Sequence, residues 1–380
     1  MQKKRTLTLL LSKILALTLS LLSKIIFWDK GQRIWLIACG GERWGDNADA
    51  FWRYMNQNHP EIKTIAVVKH SNILNIEKKY WVKRNKISSY ILLLRAEVMA
   101  TTHTLTDIGP DSITSLSKAR KVWLQHGVTG IGKITAEKAR SGAYDMICVN
   151  SGKEKDIMEQ DLGIASDSLS ITGFSRHDVL KEKAEKDLSR NGIIYIPTSR
   201  AWIGQAQKNE YETMLFSWVE KAHHTDMNIT VKTWLHPGWH KSGLDDLGLR
   251  YNKMEHYGVN KDPQQLILES KLLITDYSSI FFDAALSGIP TIFYQPDRAL
   301  YIKNKGLFKE FLEQDLLLIV YNEEELISEI ESIMNNINYY KQRLKKDQEW
   351  AYQYVETYDD NLCRRIYEHI EQMLIQDGDT

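Results

Sequence analysis

The sequence predicts an α/β fold of two Rossmann-like domains facing a cleft. Three observations lead there. From residue 34 onward, short apolar runs alternate with amphipathic stretches, the pattern of parallel sheets built from βαβ units. The pattern breaks at the charged segment 181–190 and then restarts. The chain has 380 residues, comfortable for two compact domains and long for one. The expected division is an N-terminal helix over 1–29, domains over 30–180 and 181–345, and a C-terminal helical segment over 346–380.

The N-terminal helix comes first. Residues 1–28 have a basic start and a leucine-rich body interrupted by Lys13 and Lys24. No small-x-small cleavage site follows, as a secretory signal requires. A spanning helix needs about 20 uninterrupted apolar residues. Lys13 and Lys24 lie about three helical turns apart, so they share a face. The pattern suits a helix lying in a membrane interface, with leucines in the acyl region, lysines at anionic head groups and Trp28 at the boundary. A true span and a partner-packing helix are the alternatives.

The strands follow. The first series is Ile34–Ala38, Thr64–Val68, Glu97–Thr101, Val122–Gln125, Met146–Val149 and Ser170–Thr172. The second is Ile193–Ile196, Ile229–Leu235, Leu272–Thr275, Thr291–Tyr294 and Leu316–Val320. Residues 323–374 carry a helical pattern rich in Glu, Lys and Tyr, with no strand signal.

Composition excludes some classes. Lys+Arg and Asp+Glu number 49 each, so no global field favours nucleic acid. Eleven Trp and eighteen Tyr suit cores and the stacking of sugars or bases. Cys39, Cys148 and Cys363 have no paired spacing and read as free thiols in a reducing compartment. There is no phosphate-binding G-x-x-x-x-G-K-[ST] loop, no G-x-G-x-x-G after the first strand, no zinc spacing and no G-x-S-x-G elbow.

Four polar clusters follow four of the expected strands. They are His126-Gly127, Thr198-Ser199-Arg200, His236-Pro237 and Asp276-Tyr277-Ser278-Ser279. Strand ends are where open α/β sheets bind ligands. Ser278 and Ser279 would open a helix with hydroxyls and backbone N–H groups suited to phosphate. Each cluster alone has a bland reading: a strand-end histidine is usually structural, Asp276 can cap a helix, and an exposed Arg200 can pair with a surface carboxylate. Their convergence favours a site for a nucleotide or phosphorylated group.

Taken in order, Gly45-Asp46-Asn47, His126-Gly127, Gly173-Phe174-Ser175-Arg176-His177-Asp178, His236-Pro237 and Thr275-Asp276-Tyr277-Ser278-Ser279 resemble the CDP-glycerol glycerophosphotransferases. That family includes teichoic-acid and capsule polymer enzymes. The resemblance covers roughly residues 30–350. It implies a glycosyltransferase B-type fold on the cytoplasmic face of the cell membrane. The implied partners are a CDP-polyol donor, CDP-glycerol foremost, and a lipid-linked or polymeric glycan acceptor, with no cofactor, no metal and no nucleic acid. By resemblance His126 is the general base and His236 stands near the donor phosphates. Thr198, Arg200, Asp276, Ser278 and Ser279 line the donor pocket, and Asp46, Asn47 and Gly127 lie towards the acceptor. The chain departs from the family pattern at Thr198-Ser199-Arg200, where Thr-Trp-Arg is usual, and at Val128-Thr129, where Thr-Pro is usual. Two other readings stand beside this one: a nucleotide-sugar glycosyltransferase of the same architecture, which would release a nucleoside diphosphate, and a binding protein without turnover.

Overall fold

The computed structural model describes residues 18, 31–40, 44–70, 76–133, 144–186, 189–224, 229–236, 238–239, 244, 246–251, 253–258, 261–356, 358–359 and 361–378. The expected membrane-associating helix over 1–29 lies outside them, apart from Thr18. Among the described residues no helix is long and apolar enough to cross a membrane.

The chain folds as two units. The first comprises residues 1–126, 135–178 and 357–380. Its sheet has seven parallel strands in the order β3-β2-β1-β4-β5-β6-β7. These are β1 Ile34–Ala38, β2 Lys63–Val68, β3 Trp81–Lys83, β4 Val98–Thr101, β5 Arg120–Trp123, β6 Met146–Val149 and β7 Leu169–Ile171. The second comprises residues 127–134 and 179–356. Its six parallel strands are ordered β10-β9-β8-β11-β12-β13: β8 Ile193–Tyr195, β9 Val231–Trp234, β10 Met254–Tyr257, β11 Leu272–Thr275, β12 Thr291–Tyr294 and β13 Ile319–Val320.

In each sheet the chain first winds outward from its first strand, then returns to that strand's other side. The strand order therefore reverses between β1 and β4, and between β8 and β11. Such a reversal opens a crevice at the carboxyl ends of the two strands. The inner strands are buried on both faces, which is why they read as continuous apolar runs rather than alternating ones. β3 and β10, absent from the expected strands, are edge strands with polar residues such as the exposed Lys83 and Glu255 and the half-exposed His256, so no apolar run marks them.

The C-terminal helices divide between the units. Glu323–Asn335 and Ile337–Ala351 belong to the second, and Leu362–Gly378 to the first. Asp178 fixes that last helix by accepting from Leu362 N (3.0 Å) and Cys363 N (2.8 Å). Glu371 on it pairs with Arg33 at the start of β1 (2.6 Å). Cys148 and Cys363 are buried free thiols and Cys39 is half-buried. Burial pushes the Cys148 thiol up to about 12.

Candidate active site

In the first unit the strand ends at the reversal carry Gly40 after β1 and Thr102-His103 after β4, with His126 just beyond β5. The turn holding His126 is tightly made. β5 stops at Trp123, two residues short of the expected Gln125, because Gln125 turns to a φ of 57°. Its buried amide donates to Cys148 O (2.5 Å). Asn47 braces the same turn, donating to Leu124 O (3.2 Å) and Gln125 O (3.0 Å). Asn47 also accepts from Arg176 N (3.1 Å) and is fully buried. The Asn47 side chain, expected on the acceptor side, is thus buried and spent on the Leu124 and Gln125 carbonyls and on Arg176 N.

Helix α1, Asp46–Asn58, starts at the adjoining loop. Asp46 has a φ of 59°, a left-handed backbone that Asp and Asn tolerate better than most residues. One carboxylate oxygen accepts from Arg176 Nη1 at 2.9 Å, and the other meets His126 Nδ1 at 2.5 Å. Asp46 is 7% exposed while His126 is 53% exposed. Burial opposes ionisation of Asp46, but the charges of His126 and Arg176 outweigh it and hold the carboxyl well below the usual range. A carboxylate can only accept, so Nδ1 of His126 keeps its hydrogen in the charged and the neutral ring alike, and when the ring is neutral the bare lone pair is on Nε2. This is the base-competent tautomer.

Arg176 ties the assembly together by donating also to the His126 carbonyl (2.8 Å). It was legible only as part of the Gly173–Asp178 motif, with no role attached. Its neighbours explain that motif: Ser175 Oγ donates to Asn47 O (2.7 Å), and Asp178 caps the last helix. His103 had no sequence signal. Its ring lies 4.5 Å from that of His126, centroid to centroid.

In the second unit the expected donor residues gather at the β8/β11 reversal, but in two classes. Asp276 and Arg200 are fully buried and form a frame. Asp276 accepts from Thr198 N (3.0 Å), Thr198 Oγ1 (2.6 Å) and Tyr277 N (2.6 Å), and pairs with Arg200. Arg200 also grips Asp297 through Nε (3.1 Å) and Nη2 (3.0 Å), and Tyr277 OH donates to Asp297 (3.0 Å). Arg200 and Asp276 are thus framework rather than the expected phosphate contacts, and the Thr198 hydroxyl proton is already committed. Desolvation disfavours the Arg200 charge, but Asp276 and Asp297 outweigh it and keep the guanidinium ionised.

The half-exposed groups are Ser278, Ser279 and Ser199, with His236 exposed. Ser278 Oγ accepts from Ile280 N (3.3 Å), at the start of the seven-residue helix Ile280–Leu286; Ser279 makes no side-chain cap. His236 Nδ1 accepts from Gly238 N (3.0 Å). A backbone N–H can only donate, so the neutral His236 ring carries its hydrogen on Nε2, the reverse of His126. Gly127 belongs to this unit and lies against Ser279: a Cβ there would collide with the serine hydroxyl. Its glycine accommodates that close approach. Among the described residues no group of three or more His, Cys, Asp or Glu could hold a metal ion.

A sequence model of the family "CDP-Glycerol:Poly(glycerophosphate) glycerophosphotransferase" matches residues 20–372. A teichoic acid glycerol-phosphate primase of Staphylococcus aureus is 27% identical over 206 residues, 49% of this chain and 51% of that protein. The chain thus matches about half of that relative's length. A teichoic acid glycerol-phosphate primase of Bacillus subtilis is 23% identical, covering 76% of this chain and 72% of its own. Among solved structures, a variant of the wall teichoic acid polymerase TagF superposes over 100% of this chain and 99% of its own, with a TM-score of 0.72 at 18% identity, a likeness of fold.

Proposed function

The chain belongs to the CDP-glycerol:poly(glycerophosphate) glycerophosphotransferase family, and on that premise we propose that it transfers glycerol phosphate from CDP-glycerol to a lipid-linked or polymeric glycan acceptor. The product is a teichoic-acid-like or capsule polymer of the cell surface, and CMP leaves. The observation that carries the mechanism is the Asp46–His126 pair, which places a hydrogen on Nδ1 and leaves the lone pair of the neutral, exposed ring on Nε2.

An acceptor hydroxyl oxygen attacks the phosphorus bearing glycerol. The bond from that phosphorus to the bridging oxygen breaks, and CMP departs with the bond's electrons. His126 Nε2 takes the hydroxyl proton, and Asp46 stabilises the imidazolium that forms. Nε2–H of His236 and the hydroxyls of Ser278 and Ser279 are proposed to donate to phosphate oxygens as charge builds on them. Arg200, Asp276, Asp297 and Thr198 hold that turn in shape from beneath. A station at the cytoplasmic membrane surface is part of the proposal, which the Leu/Lys pattern of residues 1–28 supports.

The test is incubation with CDP-glycerol, CDP-ribitol and a panel of nucleotide sugars, each with a glycerol phosphate oligomer as acceptor. CMP release from CDP-glycerol is expected. A nucleoside diphosphate released from a nucleotide sugar, with no CMP, would replace this reading with the glycosyltransferase one.

A further inference from the structure

Between residues 69 and 86 the chain carries six Lys or Arg and one acid, Glu77, although its charges balance at 49 each overall. Glu77 is spent on Lys79 (2.9 Å), and the Lys78 ammonium lies 3.4 Å from the centre of the Trp81 ring. The other four stand at the carboxyl ends of two strands. Exposed Lys69 follows β2, exposed Lys83 ends β3, and half-exposed Arg84 and exposed Lys86 come next. Asp107 meets Arg84 at 3.5 Å, but among the described residues no carboxylate pairs with Lys83 or Lys86. Helix stability does not account for these cations. Lys86 stands just before the helix Ile87–Arg95, whose first turn holds no acid, and positive charge at that end opposes the helix dipole. Exposed positive charge that the local fold disfavours suits a polyanion brought from outside.

The loop lies on the same rim of the sheet as His126. The strand order β3-β2-β1-β4-β5 sets the ends of β3 and β5 four spacings apart, at most about 19 Å. Contacts also join the two places. Arg84 donates to Val68 O through its backbone N–H (2.8 Å) and to Thr106 O through Nη1 (3.0 Å). Thr106 belongs to the turn after β4, and the ring of His103 in that turn stands 4.5 Å from the ring of His126. The first unit therefore carries the base and the basic loop along one continuous edge. An extended chain advances about 3.5 Å per three backbone bonds, so a glycerol phosphate repeat of six bonds spans about 7 Å. The rim thus measures two to three repeats.

We propose that Lys83, Arg84 and Lys86, with Lys69 beside them, hold the phosphodiesters of the acceptor two or three repeats behind its attacking end. The inference rests on the glycerophosphotransferase reading and adds to it a preference for an acceptor that is already a polyanionic chain. A lipid surface is the competing occupant, and it needs apolar anchors among the cations. Between residues 76 and 90, Ile87 is the one large apolar side chain that is exposed.

The test compares a six-unit glycerol phosphate oligomer with sn-glycerol 3-phosphate as acceptors, with CDP-glycerol as donor, at about 0.1 M salt. The Debye length is then about 10 Å, so the loop's charge is screened from a one-repeat acceptor at His126. Lys83→Glu/Lys86→Glu is expected to raise KM for the oligomer about tenfold, the effect of two exposed charge contacts reversed in sign. Its kcat, and both constants for sn-glycerol 3-phosphate, should stay within about twofold. Lys83→Arg/Lys86→Arg should keep the parent's KM. An unchanged oligomer KM overturns the proposal, as does an equal loss with both acceptors or an equal loss in the Arg pair. Acid at position 86 favours the helix start, so the Glu pair should unfold no earlier than the parent; if it does not fold, Lys83→Gln/Lys86→Gln is read the same way, with a rise of about threefold. A calorimetric arm without donor separates the loop from the reaction. The oligomer should bind the parent about tenfold more tightly than the Glu pair, with a difference that shrinks as salt rises. That difference without CMP release keeps the loop and refutes the reaction; CMP release without the difference does the reverse. Phosphatidylglycerol vesicles distinguish the other source of phosphodiesters: a Glu pair that loses vesicle binding but keeps oligomer binding would assign the loop to the membrane and overturn the proposal.

Discussion

Replacing Asp46 by Asn changes one atom and should silence the base. The two carboxylate oxygens have distinct partners, Arg176 at 2.9 Å and His126 Nδ1 at 2.5 Å. Arginine has only donors, so the oxygen of the new amide must stay on Arg176. The NH2 group is then forced towards His126, and Nδ1 must accept. The neutral ring carries its hydrogen on Nε2, the nitrogen that should receive the acceptor's proton. Asn tolerates the left-handed backbone at this position, so the fold is kept. The expected fall in kcat is roughly 10²- to 10⁴-fold, the range of general-base loss and of a wrong histidine tautomer. CDP-glycerol affinity by calorimetry should stay within about twofold. Raising the pH should not restore activity, because deprotonation does not move the hydrogen from Nε2. A kcat within about fivefold of the parent, with the variant folded, would refute the tautomer argument. The stability sign also follows. The folded pKa of Asp46 is depressed, so its contribution is complete above the unfolded carboxyl pKa of about 4 and declines as the pH falls below it. Asp46→Asn should unfold with a shallower acid-side slope.

Arg200→Met should leave Asp276 and Asp297 buried without their shared cation, costing roughly 3–5 kcal/mol in chemical denaturation; intact stability with lost donor affinity would restore Arg200 as a direct phosphate contact. The paired change Ser278→Ala/Ser279→Ala, and His236→Ala separately, should each weaken donor handling, seen as about a 100-fold or smaller fall in kcat/KM for CDP-glycerol; wild-type kinetics would move the donor pocket elsewhere. Burial raises the Asp347 carboxyl to about 7 despite Arg343 and its bond from Thr291 N. The folded state therefore holds a proton that the unfolded state releases between pH ~4 and ~7, so stability falls as pH rises through that window. Asp347→Asn should flatten that decline in thermal unfolding, and an unaltered slope would discount it. Removing residues 1–28 should shift the protein from membranes to the soluble fraction while it stays folded; persistent pelleting after a salt wash would point to another binding face.

What the sequence disclosed follows from what the physics repeats. β1, β6, β11 and β12 are buried on both faces and matched the expected runs residue for residue, whereas the short polar edges β3 and β10 left no run to find. His126, His236 and the two serines were legible because they stand in motifs just past apolar strands. Their depth was not. A strand-end Arg reads the same whether it meets a phosphate or, like Arg200, sits at 0% exposure between two carboxylates. Asp297 and His103 are brought in from later or earlier strands by the parallel sheet order, and no spacing rule links them to their partners.

The last helix bears on how the molecule is made. Leu362–Gly378 completes the first unit, and Asp178, which holds its first turn, is two residues from the Arg176 that steadies Asp46. On a ribosome the N-terminal sheet thus waits for some 200 further residues, on the order of 10–40 s of synthesis. During that wait residues 179–356 can condense, while Trp35, Phe51 and their neighbours lack the covering side chains of Ile366 and Ile370. A nascent chain would therefore be a client for chaperones over its earliest strands, and the basic histidine would be among the last features to mature.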